Sequence, residues 1–315
     1  MTPEEAYMAA QTLAAGAGPS RVQIWIEATR PFSFTASVTP VLIGSVLGAA
    51  DGPFSVGRFL LALFGSLFIH IGTNLINDYY DHLSGVDTLE TMSGSQVIQR
   101  GLLSAGEVYW GGIVTFAIGS LFGLILVGLC GWPILALGVV SVLAGYFYTA
   151  NPLSLAYIAL GEATVFIFMG PVIVVGAYYV QREVFALTPL LISLPVGCLV
   201  AAILQANNIR DLESDRTRGK NTLATVIGRQ AANWELAGLV YGAFVITAVL
   251  ILLGYAPWSV LLTFATLRHA LPAVRIPFST DKVEEINAAL LHTVKLHLEY
   301  GVLLIVGLLV SRFLF

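Results

Sequence analysis

Long apolar runs, closed at their ends by short clusters of polar and charged residues, organise this chain from about residue 32 to residue 314. Roughly 17–25 consecutive apolar residues suffice to cross a bilayer as a helix. Nine such segments are read along the chain, at about 32–50, 58–77, 108–130, 134–149, 158–180, 187–207, 235–254, 257–272 and 294–314. The fourth and eighth are the shortest. The runs lack the apolar–polar alternation of strands, so the pattern predicts an all-α bundle of nine transmembrane helices rather than a barrel. Polar connections are expected at 78–107, 208–234 and 273–293. Residues 1–20 read as a flexible tail and 21–315 as one membrane domain.

Two of the polar helix ends stand apart from the rest. NLINDYYD (74–81) closes the second run and NIRDLESD (208–215) the sixth. Five of the seven aspartates, Asp78, Asp81, Asp87, Asp211 and Asp215, fall in or just after them. A helix turns by about 100° per residue, so spacings of three, four and seven share a face. Asn74, Asn77, Asp78 and Asp81 therefore form one polar stripe, and Asn207, Asn208, Asp211 and Asp215 another. Carboxylates at a membrane boundary are costly unless cations compensate them, which marks these stripes as functional.

Composition agrees with the membrane reading: 57% of residues are hydrophobic and 11% charged, with a mean hydropathy of +0.83. The positive-inside rule orients the spans. With the amino terminus cytoplasmic, twelve basic residues fall on the cytoplasmic side: Arg21, Arg30, Arg100, Arg210, Arg216, Arg218, Lys220, Arg229, Arg268, Arg275, Lys282 and Lys295. Only Arg58, Arg182 and Arg312 remain outside. Both acidic stripes then face the cytoplasm and the carboxyl terminus faces out. The net charge of −4 gives no reason to expect nucleic acid. Cys130 and Cys198 stand apart in apolar runs and read as inert buried thiols.

Two facing stripes of amides and carboxylates make a cage of hard oxygen donors, suited to Mg²⁺ shared with substrate phosphate oxygens. Arg100, Arg210, Arg216, Arg218 and Lys220, with Arg30 at the start of the first helix, are placed to cover the outer oxygens of a diphosphate. The chemistry this favours is ionisation of an allylic diphosphate in a dry cavity lined by aromatic rings.

At these residues the chain resembles the UbiA superfamily of intramembrane aromatic prenyltransferases, and most closely its branch acting on 1,4-dihydroxy-2-naphthoate in menaquinone synthesis. The resemblance rests on NLINDYYDHLSGVDT (74–88), GSQVIQRGLLS (94–104) and NNIRDLESDRTRGKNTLATVIGR (207–229). Softer similarity covers RPFSFTASVTPVLIG (30–44), GYFYTANPLSLAYIALGE (145–162) and LPAVR (271–275). It implies a horseshoe of nine helices around a central cavity, open sideways to lipid, in the inner cell membrane. It also implies Mg²⁺-dependent prenyl transfer to an aromatic ring that loses its carboxylate. Asn77 and Asp81 match the first motif; its third position is Gly85, and Asp87 stands in two residues later. Asp211 and Asp215 match the second motif, Tyr148 a pocket tyrosine and Lys220 a basic residue near the diphosphate.

The resulting assignment gives Asn77, Asp78, Asp81, Asp87, Asp211 and Asp215 to the metal. Substrate falls to Asn74, Asn208, Arg100, Arg210, Arg216, Lys220 and Tyr148. Asp81, Asp211, Lys220 and Tyr148 are placed at the chemistry. Asp78 and Glu162 are alternative bases for the acceptor hydroxyl. His82 reads as a solvated loop residue, His292 and His297 as interfacial, and His70 and His269 have no assigned role. No obligate protein partner is expected. Another acceptor of the superfamily (4-hydroxybenzoate, homogentisate, chlorophyllide or haem) is an alternative that the G-K-x-T-L continuation and the shifted Asp87 disfavour. A cation-coupled transporter is the alternative from another class, but transporters place charge near the midplane on broken helices.

Overall fold

The computed structural model describes residues 18–89, 91–92 and 94–314, with side chains described to residue 311. The tail expected over 1–20 lies outside the described residues except for its last three. Ser20 opens α1 (Arg21–Ala28) with a reciprocal cap: its hydroxyl accepts from Gln23 N while the Gln23 side chain accepts from Ser20 N. Arg30 then adopts a left-handed backbone (φ 55°), and the chain bends by 57° into α2 (Thr35–Ala50).

α3 (Val56–Leu83) and α4 (Ala105–Cys130) pack closely because glycines line their seam. A Cβ at Gly72 would lie 2.9 Å from the Phe116 ring, and one at Gly119 would lie 3.0 Å from Gly65 O. α5 (Trp132–Tyr146) follows. α6 (Gly161–Ile167) passes through one π turn at Phe168–Val172 into α7 (Ile173–Arg182). Pro171 in that turn has no amide hydrogen to donate, the usual origin of such an irregularity.

The centre of the bundle is α8 (Leu187–Thr217), whose Val196, Leu199, Ile209 and Leu212 are buried. They share a core with Leu236 and Val240 of α10 (Arg229–Leu252) and with Leu296 and Leu304 of α12 (Val283–Leu314). The short α9 (Leu223–Ile227) links α8 to α10. A 3-10 segment, Trp258–Thr266, leads into α11 (Leu267–Ser279). Leu121 and Leu124 of α4, Leu135 and Val139 of α5, and Val245 and Leu252 of α10 point outward. An apolar exterior of that extent belongs in lipid, so this is an integral membrane protein.

Among the described residues, six helices are long and apolar enough to cross a membrane, or seven if the bent pair Arg21–Ser33 and Thr35–Ala50 is one span. The two shortest expected spans depart most from the reading. One is a 15-residue helix, and the other is split between the 3-10 segment and α11. Thr263 and Thr266 hydroxyls bond back to Val260 O and Thr263 O at 2.8 and 2.6 Å, competing with the regular ladder. The expected connection over 273–293 is largely helical, since α11 and α12 meet across three residues, 280–282. The longer α12 also corrects His297. It sits in register with Ile286, Thr293, Leu296 and Tyr300, all buried, rather than at an interface.

Where α2 meets α7, a Cβ at Gly44 would lie 2.2 Å from Val174 O and 2.9 Å from Ala177 Cβ. Gly44→Ala is expected to destabilise the fold by about 1–3 kcal/mol, the usual cost of overpacking. The check is thermal unfolding of the purified variant in detergent; an unshifted transition would mean the two helices part freely.

Candidate active site

α3 and α8 stay helical beyond the apolar runs predicted to end at 77 and 207, reaching Leu83 and Thr217. The same device recurs in both. Asn77 Nδ2 donates to Asp81 Oδ2 at 3.0 Å, and Asn207 Nδ2 donates to Asp211 Oδ2 at 3.3 Å, each one turn along. Both helix ends border one cavity of about 430 Å³, whose polar rim includes Arg30, Asn77, Asp81, Asn207, Arg210 and Lys220. Deeper in, its walls are apolar, with Ile69, Val200, Ile203 and Leu204 among them.

Each acid in turn finds a cation or a donor. Asp81 accepts from Lys220 Nζ at 3.2 Å and from the Tyr157 hydroxyl at 2.7 Å, which joins the end of α3 to the loop after α8. Asp78 pairs with Arg30 and accepts from the Ser95 hydroxyl. Asp211 receives Arg210 Nε and Nη2 at 2.7 and 2.6 Å, a two-pronged contact between buried groups. Arg210 also reaches Asn207 Oδ1 at 2.8 Å and Asn287 Oδ1 at 3.0 Å. Asp215 is 3% exposed, and its charge acts on Lys220. Asp87 is 4% exposed. Arg218 holds its loop by donating to Val86 O at 2.7 Å.

Gly94 explains the start of the 94–104 motif. Its φ is +71°, and a Cβ there would lie 2.5 Å from Asp87 Oδ2, 3.2 Å from Asp78 Oδ1 and 3.3 Å from Arg30 Nη2. Three charged groups thus surround a hollow that only glycine leaves open.

Lys220 is the electrostatic hub. Burial works against its ammonium, but the charges of Asp81, Asp215 and Asp87 outweigh that, and its pKa lies above the ordinary lysine value. The stabilisation from this pairing is complete through neutral pH and is lost only as pH rises past that elevated value. Tyr157 stacks beneath it, with Nζ 5.2 Å from the ring centroid. Burial, and then the charge of Asp81, push the Tyr157 phenol above its ordinary pKa, so it remains a donor.

Not every candidate converges here. Arg100 bonds Glu27 at 2.6 Å on an exposed surface, and the exposed Arg216 lies 3.8 Å from Glu213; neither lines the cavity. Of the five candidate aspartates only Asp81 lines it, with Asp78, Asp87, Asp211 and Asp215 buried behind it. Asn74 lines it and donates to Thr29 O and Ser33 Oγ, both at 3.1 Å. Asn208 lines it and donates to Glu162 Oε1 at 2.6 Å. Tyr148 lines it as well. Among the described residues, no three His, Cys, Asp or Glu side chains gather closely enough to hold a metal ion by themselves. The carboxylate and amide donors present are hard oxygen donors of the type Mg²⁺ takes.

Sequence reasoning overlooked Tyr157 and Ser95, although both lie in stretches that carried the resemblance. One tyrosine among twelve has no periodicity to single it out. Tyr157→Phe removes a hydrogen bond to a buried carboxylate, a contact of about 1.5–3 kcal/mol. Turnover is expected to fall roughly tenfold, measured as steady-state product formation; an unchanged rate would separate Tyr157 from the site.

The UbiA prenyltransferase family model matches residues 37–296. The chain is 34% identical over 292 residues to a 1,4-dihydroxy-2-naphthoate octaprenyltransferase of Bacillus subtilis (strain 168), covering 92% of this chain and 94% of that protein. It is 31% identical over 305 residues to UbiA prenyltransferase domain-containing protein 1 of Gallus gallus, covering 94% and 88%. Among solved structures, a UbiA homolog from Archaeoglobus fulgidus bound to DMAPP and Mg²⁺ superimposes with a TM-score of 0.60 at 19% identity, covering 90% of this chain and 99% of that one.

Proposed function

The chain belongs to the UbiA prenyltransferase family, and from that premise we propose that it transfers a polyprenyl group from an isoprenoid diphosphate to 1,4-dihydroxy-2-naphthoate, releasing carbon dioxide and forming demethylmenaquinol. The observation that carries this reading is the joining of two acidic helix ends over one cavity, in a chain akin end to end to a naphthoate enzyme.

Asn77, Asp78, Asp81, Asp87, Asp211 and Asp215 would hold Mg²⁺; the open hollow at Gly94 and the hard oxygen donors support the fit. Bound there, Mg²⁺ supplies Lewis-acid stabilisation of the departing diphosphate. Lys220, Arg30 and Arg210 bind the remaining diphosphate oxygens, each turning from its own carboxylate toward substrate. The apolar walls hold the isoprenoid and exclude water from the allylic cation, which faces Phe168 and Tyr148.

In this reading Trp132–Tyr146 and the Trp258–Ser279 region complete a nine-span horseshoe in the inner cell membrane. The excess of basic residues supports a cytoplasmic amino terminus and site, with the carboxyl terminus outside.

The test is incubation of purified protein with geranylgeranyl diphosphate, Mg²⁺ and either dihydroxynaphthoate, hydroxybenzoate or homogentisate. Product from the naphthoate alone, lighter than the simple adduct by carbon dioxide, is expected. Preference for another acceptor would overturn the assignment.

A further inference from the structure

One polar group of the cavity wall takes no part in the chemistry above. His70 of α3 is 7% exposed and lines the cavity beside Ser33, Ser37 and Asn74. Its Nδ1 lies 2.8 Å from Ser37 Oγ and its Nε2 lies 3.3 Å from Ser33 Oγ. Each ring nitrogen thus faces a serine hydroxyl, and the proton can sit on either. In the tautomer with hydrogen on Nδ1, Ser37 Oγ accepts it and donates onward to Met169 Sδ at 3.8 Å. Nε2 is then the bare lone pair. Its hydrogen-bonding neighbour, the Ser33 hydroxyl, is engaged more closely elsewhere: it donates to Arg30 O at 2.8 Å and accepts from Asn74 Nδ2.

We infer that His70 Nε2 is the base for the aromatic acceptor, receiving the proton of the ring hydroxyl beside the carboxylate. The inference rests on the acceptor reading above. His70 lies seven residues before Asn77 on α3, about 10 Å along the helix at ~1.5 Å per residue. That depth separates a ring at His70 from a diphosphate head at the rim. Arg30 lines the same cavity, and its charge favours the phenolate.

The step balances without a further reactant. The hydroxyl O–H breaks and its proton moves to Nε2. The ring pair forms the new C–C bond to the allylic carbon, whose C–O pair leaves with the diphosphate. The adduct is a β-keto carboxylate. Its C–CO₂ bond breaks, that pair restores the aromatic ring as a phenolate, and the oxygen takes its proton back from His70.

The test crosses the residue with the substrate. His70→Gln is expected to lower kcat with 1,4-dihydroxy-2-naphthoate about 100-fold, within the usual range for a general base. Equilibrium binding of geranylgeranyl diphosphate should be unchanged, which also verifies the fold. The wild type should lose a similar factor with 1-methoxy-4-hydroxy-2-naphthoate, which has no such proton, and the combination should cost no more than either change alone. Ser37→Ala, which frees the ring to turn, is expected to lower kcat about tenfold at constant acceptor KM, and serves if His70→Gln does not fold. Full kcat in His70→Gln, multiplying effects, or an unaltered Ser37→Ala would overturn the inference. Wild type inactive on the naphthoate would overturn the acceptor reading and this inference with it.

Discussion

Asp81→Ala and Asp211→Ala are each expected to reduce Mg²⁺-dependent turnover by at least ~10³-fold while the protein still inserts in the membrane. Asp81 is where three elements meet: Asn77 from its own helix, Tyr157 from the loop before α6, and Lys220 from the loop after α8. Asp211 anchors Arg210 on the opposite arm. Removing Asp211 leaves the buried Arg210 without its carboxylate, a loss of about 3–5 kcal/mol for a broken buried pair, whereas removing Asp81 leaves Lys220 with Asp215 and Asp87. Asp81→Asn and Asp211→Asn separate chemistry from packing, because an amide keeps the shape and part of the hydrogen bonding but not the charge. They should be as inactive as the alanine variants yet elute normally from a sizing column in detergent. Retained activity in both alanine variants would reject the metal assignment.

Lys220→Ala should act on one substrate rather than both. The ammonium sits among Asp81, Asp215 and Asp87, held charged against the cost of burial. With metal and diphosphate bound, the same charge serves the phosphate oxygens. Losing a charge-assisted contact of about 1.5–3 kcal/mol raises KM for the isoprenoid diphosphate roughly 10–100-fold. KM for the acceptor should stay within about threefold. Equal effects on the two dependences would place Lys220 elsewhere in the mechanism. Lys220→Arg is not expected to restore full activity, since a planar fork cannot fill the position of a compact ammonium over the Tyr157 ring.

The acidic arms were legible because two periodicities coincide in them. Apolar length marks a span, and the three-to-four-residue spacing of Asn and Asp marks a face of the same helix. The structure ties the first face, through Asp81, to Lys220 in the loop after α8, a residue the family motif singled out. Segments whose form depends on local competition were less legible. Trp258–Thr266 is apolar enough for a span, yet threonine hydroxyls draw its backbone into a 3-10 form. Arg100 and Arg216 carry the right charge at the right end of the bundle, but their directions depend on Glu27 and Glu213, which no motif includes. His70 was silent for a related reason. A lone histidine in an apolar run has no pattern of its own, and its meaning comes from Ser33 and Ser37, more than thirty residues away.

The measurement that bears most directly on this account is pyrophosphate release from geranylgeranyl diphosphate in a single turnover, followed as Mg²⁺ is added back to chelator-treated wild-type protein with dihydroxynaphthoate present. Release should be absent without divalent ion, appear in step with prenylated product and saturate as the ion is restored. Release at the full rate in excess chelator would contradict the claim that the two carboxylate arms work by gripping a metal on the leaving group.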